Sequence, residues 1–98
     1  MKIGQGIIKV CNIRGISQTE ISKQTGLSKT FLSLIEHDYR DASMVSLKKI
    51  SKVLDVPIPV IYWLSLDTDD LKMANQEMAR KYKKAVDEII TKMFINGK

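Results

Sequence analysis

Ninety-eight residues, 44% of them hydrophobic and 28% charged, suffice for one small globular domain with an appendage and exclude a disordered chain. No apolar run approaches the ~18 residues of a membrane span, and the single cysteine, Cys11, excludes an internal disulfide and a cysteine-cluster metal site. The net charge of +5 favours a polyanionic partner, nucleic acid first.

Ile3, Ile7, Val10 and Arg14 recur at spacings of four, three and four, which predicts a helix over 3–14 with Ile7 and Val10 inward. Ile8, Cys11 and Ile13 add apolar surface outside that stripe, and some of it is expected to meet another element. Gly15 ends the helix. The first residues lack a long apolar stretch with a small-residue cleavage site, so no signal peptide and a cytoplasmic location are expected.

Two short helical patterns follow, Gln18 to Thr25 and Lys29 to His37, separated only by Gly26-Leu27-Ser28. Ser17 and Glu20 form the S-x-x-E of a capping box, Gly26 suits a left-handed residue at a helix end, and Ser28 can cap the next helix. Ile21, Leu27, Leu32 and Ile35 are the inward candidates. This is the pattern of a helix-turn-helix, whose second helix can enter the DNA major groove.

A polar loop, Asp38 to Ala42, leads to Ser43, a fair N-cap for a helix over 44–54. Val45 or Leu47, with Ile50 and Leu54, should point inward; Lys48, Lys49 and Lys52 lie outside. Pro57 and Pro59 are tolerable only in the first turn of a short fifth helix, 58–65. Asp67 to Asp70 then reads as a helix start, with acids at the positive end of the dipole. No Gly or Pro occurs from there to Ile95. Leu71, Ala74, Met78, Tyr82, Val86, Ile89 and Met93 form one stripe of about 3.7 residues per turn, and Asn96-Gly97 closes it.

Residues 3 to about 66 resemble the phage-repressor/Cro-type (lambda-repressor-like) helix-turn-helix family. The likeness rests on G-I-S-Q-T-E-I at 15–21, T-G-L-S-K-T-F-L-S-L-I-E at 25–36 and L-K-K-I-S-K-V-L-D-V at 47–56. It implies an all-α, five-helix DNA-binding domain over residues 1–66; the apolar stripe after it, outside the family's shared domain, adds one long amphipathic helix over 67–98. The chain departs from the family at three points. Asp38 stands where Gly is usual, Ala42 where Pro is usual, and Cys11 where Arg often pairs with the acid matching Glu36. Glu36 therefore needs another partner, Arg40 or a backbone N–H.

The resemblance assigns DNA contacts to Gln18, Ser28, Lys29, Thr30, Ser33, Leu34, Tyr39 and Arg40. Gln18, at a helix start, suits a phosphate. Lys29 can donate to guanine or phosphate, Thr30 and Ser33 to base edges or phosphate, and Leu34 can meet a thymine methyl. Tyr39 and Arg40 can clamp the backbone. Phe31 fits packing within the turn better than stacking on DNA. Lys48, Lys49 and Lys52 read as a solvated face and His37 as a helix-end residue.

There is no Gly-rich phosphate loop, paired metal-ligand spacing or nucleophile motif, so neither an enzyme nor a cofactor is expected. The last helix has three uses open to it: covering its own domain, pairing with a second copy through Met78, Tyr82, Val86, Ile89 and Met93, or binding another protein or a membrane surface. The function that follows is a sequence-specific transcriptional regulator on double-stranded DNA, a homodimeric repressor on a palindromic operator. The alternative is an antitoxin-type module whose C-terminal helix binds a partner protein. No membrane partner is expected.

Overall fold

Serine and asparagine side chains set where four of the helices of this chain begin. The computed structural model describes residues 2–71 and 75–95, and these are all-helical, with no strand among them. The order is α1 (Ile3–Arg14), α2 (Gln18–Thr25), α3 (Lys29–Glu36), α4 (Met44–Leu54), α5 (Ile58–Ser65) and α6 (Gln76–Ile90). A 3₁₀ turn, Thr68–Leu71, precedes α6 and a π-helical turn, Thr91–Ile95, extends it. Ser17, Ser28, Ser43 and Asn75 each accept a backbone N–H three residues on, from Glu20, Phe31, Ser46 and Met78, at 3.1–3.2 Å. The box at Ser17 is half-formed. The Glu20 carboxylate accepts from the Gln24 amide one turn later instead of reaching back.

The five N-terminal helices surround one core, in which Ile7, Val10, Ile21, Leu32, Ile35, Leu47, Ile50 and Ile61 are almost wholly buried. Cys11 joins them, Ile8 is half-buried, and Ile13 remains exposed. Two glycines let α1 approach its neighbours closely. A Cβ on Gly4 would stand 2.5 Å from the Glu36 carbonyl oxygen, and one on Gly6 would stand 2.5 Å from that of Ile61. Lys9 reinforces the α1–α5 contact by donating to the Leu64 carbonyl at 3.1 Å, near the end of α5.

The C-terminal helix starts later than its apolar stripe suggests. Asp67 and Asp70 accept each other's backbone N–H, at 2.9 and 3.2 Å, which stabilises a single 3₁₀ turn. Asn75 is extended (φ −110°, ψ 104°) and starts α6 as its cap. Polar side chains at both points give N–H groups a local partner, and this outcompetes continuation of the helix. Leu71 thus lies outside α6; Ala74 and Asn96-Gly97 lie outside the described residues. Fifteen residues make α6 about 22 Å long.

One flank of α6 packs on α5. Lys83 is buried there, and Ala79 is buried one turn earlier on the same side of the helix. Trp63 Nε1 donates to an Asp87 carboxylate oxygen at 2.7 Å, and Lys83 Nζ lies 2.9 Å from both oxygens of the same group. The Lys83 ammonium also sits 5.4 Å from the centre of the Trp63 ring. The adjacent stripe is open: Met78, Tyr82, Ile89 and Met93 are exposed, and Val86, at its edge, is half-buried.

Candidate nucleic-acid interface

The turn between α2 and α3 is built from three local devices. Gly26 takes the left-handed conformation (φ 79°), in which a side chain would be strained. Thr25 donates its hydroxyl to the Ile21 carbonyl at 2.7 Å and accepts the Leu27 N–H at 3.1 Å. Ser28 then caps α3, so its hydroxyl oxygen is engaged with the Phe31 N–H at 3.1 Å. Leu32 and Ile35 anchor α3 in the core.

That anchoring fixes what α3 presents. Lys29 and Thr30 are exposed on its first turn, Ser33 is half-buried, and Leu34 is 36% exposed. Tyr39, at 82% exposure, projects past the end of the helix. The backbone N–H groups of Tyr39 and Arg40 both donate to the Leu34 carbonyl, at 2.9 and 3.2 Å, which folds this segment back toward the end of α3. The Arg40 guanidinium lies 5.1 Å from the centre of the Phe31 ring, while Phe31 itself is half-buried against the core. Phe31 thus packs within the domain. His37 caps the helix end, its Nδ1 2.9 Å from the Ser33 carbonyl.

Glu36 finds a partner other than those expected. Gln18 Nε2 donates to its carboxylate at 2.8 Å, whereas Arg40 is over Phe31. Cys11 is too short and apolar to serve, and the primary amide at the start of α2 fills the role. The bond ties α2 to α3 and fixes the Gln18 amide at the mouth of the α2 N-terminus. Only the second amide hydrogen is then free for a phosphate. Cys11 feels the same carboxylate: burial first, and then the Glu36 charge, push its thiol up to about 11.

Asp38 compensates for the missing glycine in another way. It accepts the left-handed conformation (φ 59°), and its carboxylate accepts the Gly4 N–H of α1 at 3.0 Å. The loop after α3 is thereby pinned to the first turn of α1. Neither this bond nor the Gln18–Glu36 bond has a sequence signal, because the partners lie 34 and 18 residues apart. The glycines at 4 and 6, unusual inside a helix, were the available hint of close approach. Lys49 and Lys52 line a shallow open groove with Gln24 and Thr25, beside the end of α2.

Among the described residues, no group of His, Cys, Asp or Glu is placed to hold a metal ion, and no helix is long and apolar enough to cross a membrane. A helix-turn-helix family model matches residues 7–61, more than half of the chain. No curated protein and no solved structure gives a match.

Proposed function

The chain belongs to the lambda-repressor-like, Cro/C1-type helix-turn-helix family, and from that premise we propose that it is a repressor that binds a palindromic operator as a homodimer. The coarser statement, a DNA-binding transcriptional regulator, follows from the family itself. One observation supports the DNA-reading part of this proposal above all. The first turn of α3 exposes Lys29 and Thr30 beyond a capped start, with Leu34 exposed farther along, while Leu32 and Ile35 hold the helix in the core.

On this reading α3 enters the major groove. Lys29 donates to guanine O6 or N7, or to phosphate; Thr30 and Ser33 reach base edges or phosphate; Leu34 meets a thymine methyl. Gln18 and the α2 N–H groups hold one phosphate, and Tyr39 with Arg40 clamps another. Ser28 contributes through its position at the helix start, since its hydroxyl oxygen serves as the cap. Residues 1–66 act as the DNA-binding domain and 67–98 as the pairing element. The exposed Met78, Tyr82, Ile89 and Met93, with Val86 at their edge, supply the apolar contact between subunits. Two half-sites then lie about 34–36 Å apart.

The test is selection of bound sequences from random DNA, with Lys29→Ala plus Thr30→Ala as the control. The expected result is an enriched palindrome that the double variant fails to enrich. No enriched sequence overturns the reading. A protein that stays monomeric alone and dimerises only with a second, different protein supports the antitoxin-type alternative instead.

A further inference from the structure

The exposed stripe of α6 carries a pattern that selects both its partner and the direction of pairing. Met78, Tyr82, Ala85 and Ile89 recur at spacings of four, three and four, and all four are exposed. Lys81 and Glu88, also exposed, lie on one flank of this stripe, seven residues apart. The other flank, with Ala79 and Val86, is the one that leans on the chain's own domain.

We infer that α6 pairs antiparallel with α6 of a second copy, in the register that sets Tyr82 against the partner's Ala85 and Lys81 against the partner's Glu88. This deepens the homodimer reading and rests on it. In an antiparallel helix pair, like flanks face each other and each core position meets the other type of core position. The apolar layers then become Met78 on the partner's Ile89, Tyr82 on the partner's Ala85, and their two symmetry equivalents. Each phenol meets a methyl group, so large and small side chains alternate across the seam. The same alignment places Lys81 beside the partner's Glu88, and Glu88 beside the partner's Lys81. Two ion pairs are completed by symmetry alone.

Parallel pairing offers none of this. Tyr82 would face the partner's Tyr82, Ala85 the partner's Ala85, and Lys81 would lie beside the partner's Val86 flank, with no carboxylate to meet. Within its own helix, Lys81 reaches only Glu77, at 4.0 Å and with both side chains exposed, so it is available to a second chain. The antiparallel arrangement also puts the two domain-bearing flanks on one side of the helix pair. Both recognition helices can then address the same face of a duplex.

The experiment measures dimer dissociation by sedimentation equilibrium in the full-length protein at low salt. Lys81→Glu and Glu88→Lys should each weaken the dimer roughly tenfold, since each reverses both symmetric pairs. The double variant should return to within about threefold of the parent, and a mixture of the two single variants should form heterodimers in preference to either homodimer. Disulfide trapping gives a second readout. Tyr82→Cys mixed with Ala85→Cys should cross-link faster than either variant alone, and Cys11 does not compete because it is buried. A dimer indifferent to these charges, with Tyr82→Cys cross-linking to itself, overturns the register and leaves the dimer reading standing. A parent protein that is monomeric at every concentration overturns both.

Discussion

Asp38 combines a strained backbone with a bond that the rest of the fold uses. Its left-handed conformation would suit glycine, yet glycine could not accept the Gly4 N–H at 3.0 Å. Asp38→Ala loses both the acceptor and the tolerance of positive φ, and should cost about 2 kcal/mol in urea denaturation. Asp38→Gly loses the acceptor but relaxes the backbone, so its cost should stay near or below about 1 kcal/mol. Cys11 makes a second prediction, in pH. Its folded value of about 11 lies above the ordinary 9.0, so the neutral thiol's contribution is complete below pH 9 and is lost as pH rises through 11. Melting temperature should fall across that window, and Cys11→Ala should flatten the fall. In the folded protein, alkylation at pH 9 should be many-fold slower than in urea. The resemblance already set Cys11 against Glu36, where Arg often stands in the family; that burial and this charge raise the thiol follows only from the packing of α1 on α3.

At the scale of the element, α6 is tied to α5 by a half-buried cluster of Trp63, Lys83 and Asp87. Asp87→Ala removes the carboxylate that pairs with the Lys83 ammonium in a residue only 7% exposed, and should loosen α6 by about 2–4 kcal/mol. Trp63 is the chain's one tryptophan, so its fluorescence reports the change directly, and hydrogen exchange over 76–90 should rise. Lys83→Met combined with Asp87→Leu removes both charges and should cost less than either single change. The helices of the first two thirds of the chain were legible because each is bounded by a cap or a breaker: Ser17, Gly26, Ser28, Ser43, Pro57. The beginning of α6 was not, because Asn75 sits within a run free of Gly and Pro, where periodicity alone argues for continuation. The exposed first turn of α3 was legible from the spacing of Ser28 to Lys29 and Thr30. The Gln18–Glu36 bond was not, because it joins two helices and leaves no periodic trace.

For the whole molecule, most of the net positive charge lies before Asp67, while α6 carries an open apolar stripe. Residues to Leu66 carry nine basic and five acidic side chains, whereas the open apolar stripe lies on α6. Affinity for DNA should therefore fall steeply with salt, while dimerisation, which rests on the apolar stripe and two exposed ion pairs, should fall far less. Lys29→Ala should reduce the salt slope of operator binding by about 1 if its ammonium meets a phosphate, and relax the preference at one base pair if it meets guanine. The junction of Trp63, Lys83 and Asp87 gains a second meaning in a dimer. On the homodimer reading it fixes the angle between the DNA-binding domain and the pairing helix, so it sets the span of the pair as the rivet of a pair of dividers does. An operator with one base pair added between its half-sites is a ruler for that rivet. The parent protein should reject it, and Asp87→Ala should bind the original and the lengthened operator with nearly equal, weakened affinity.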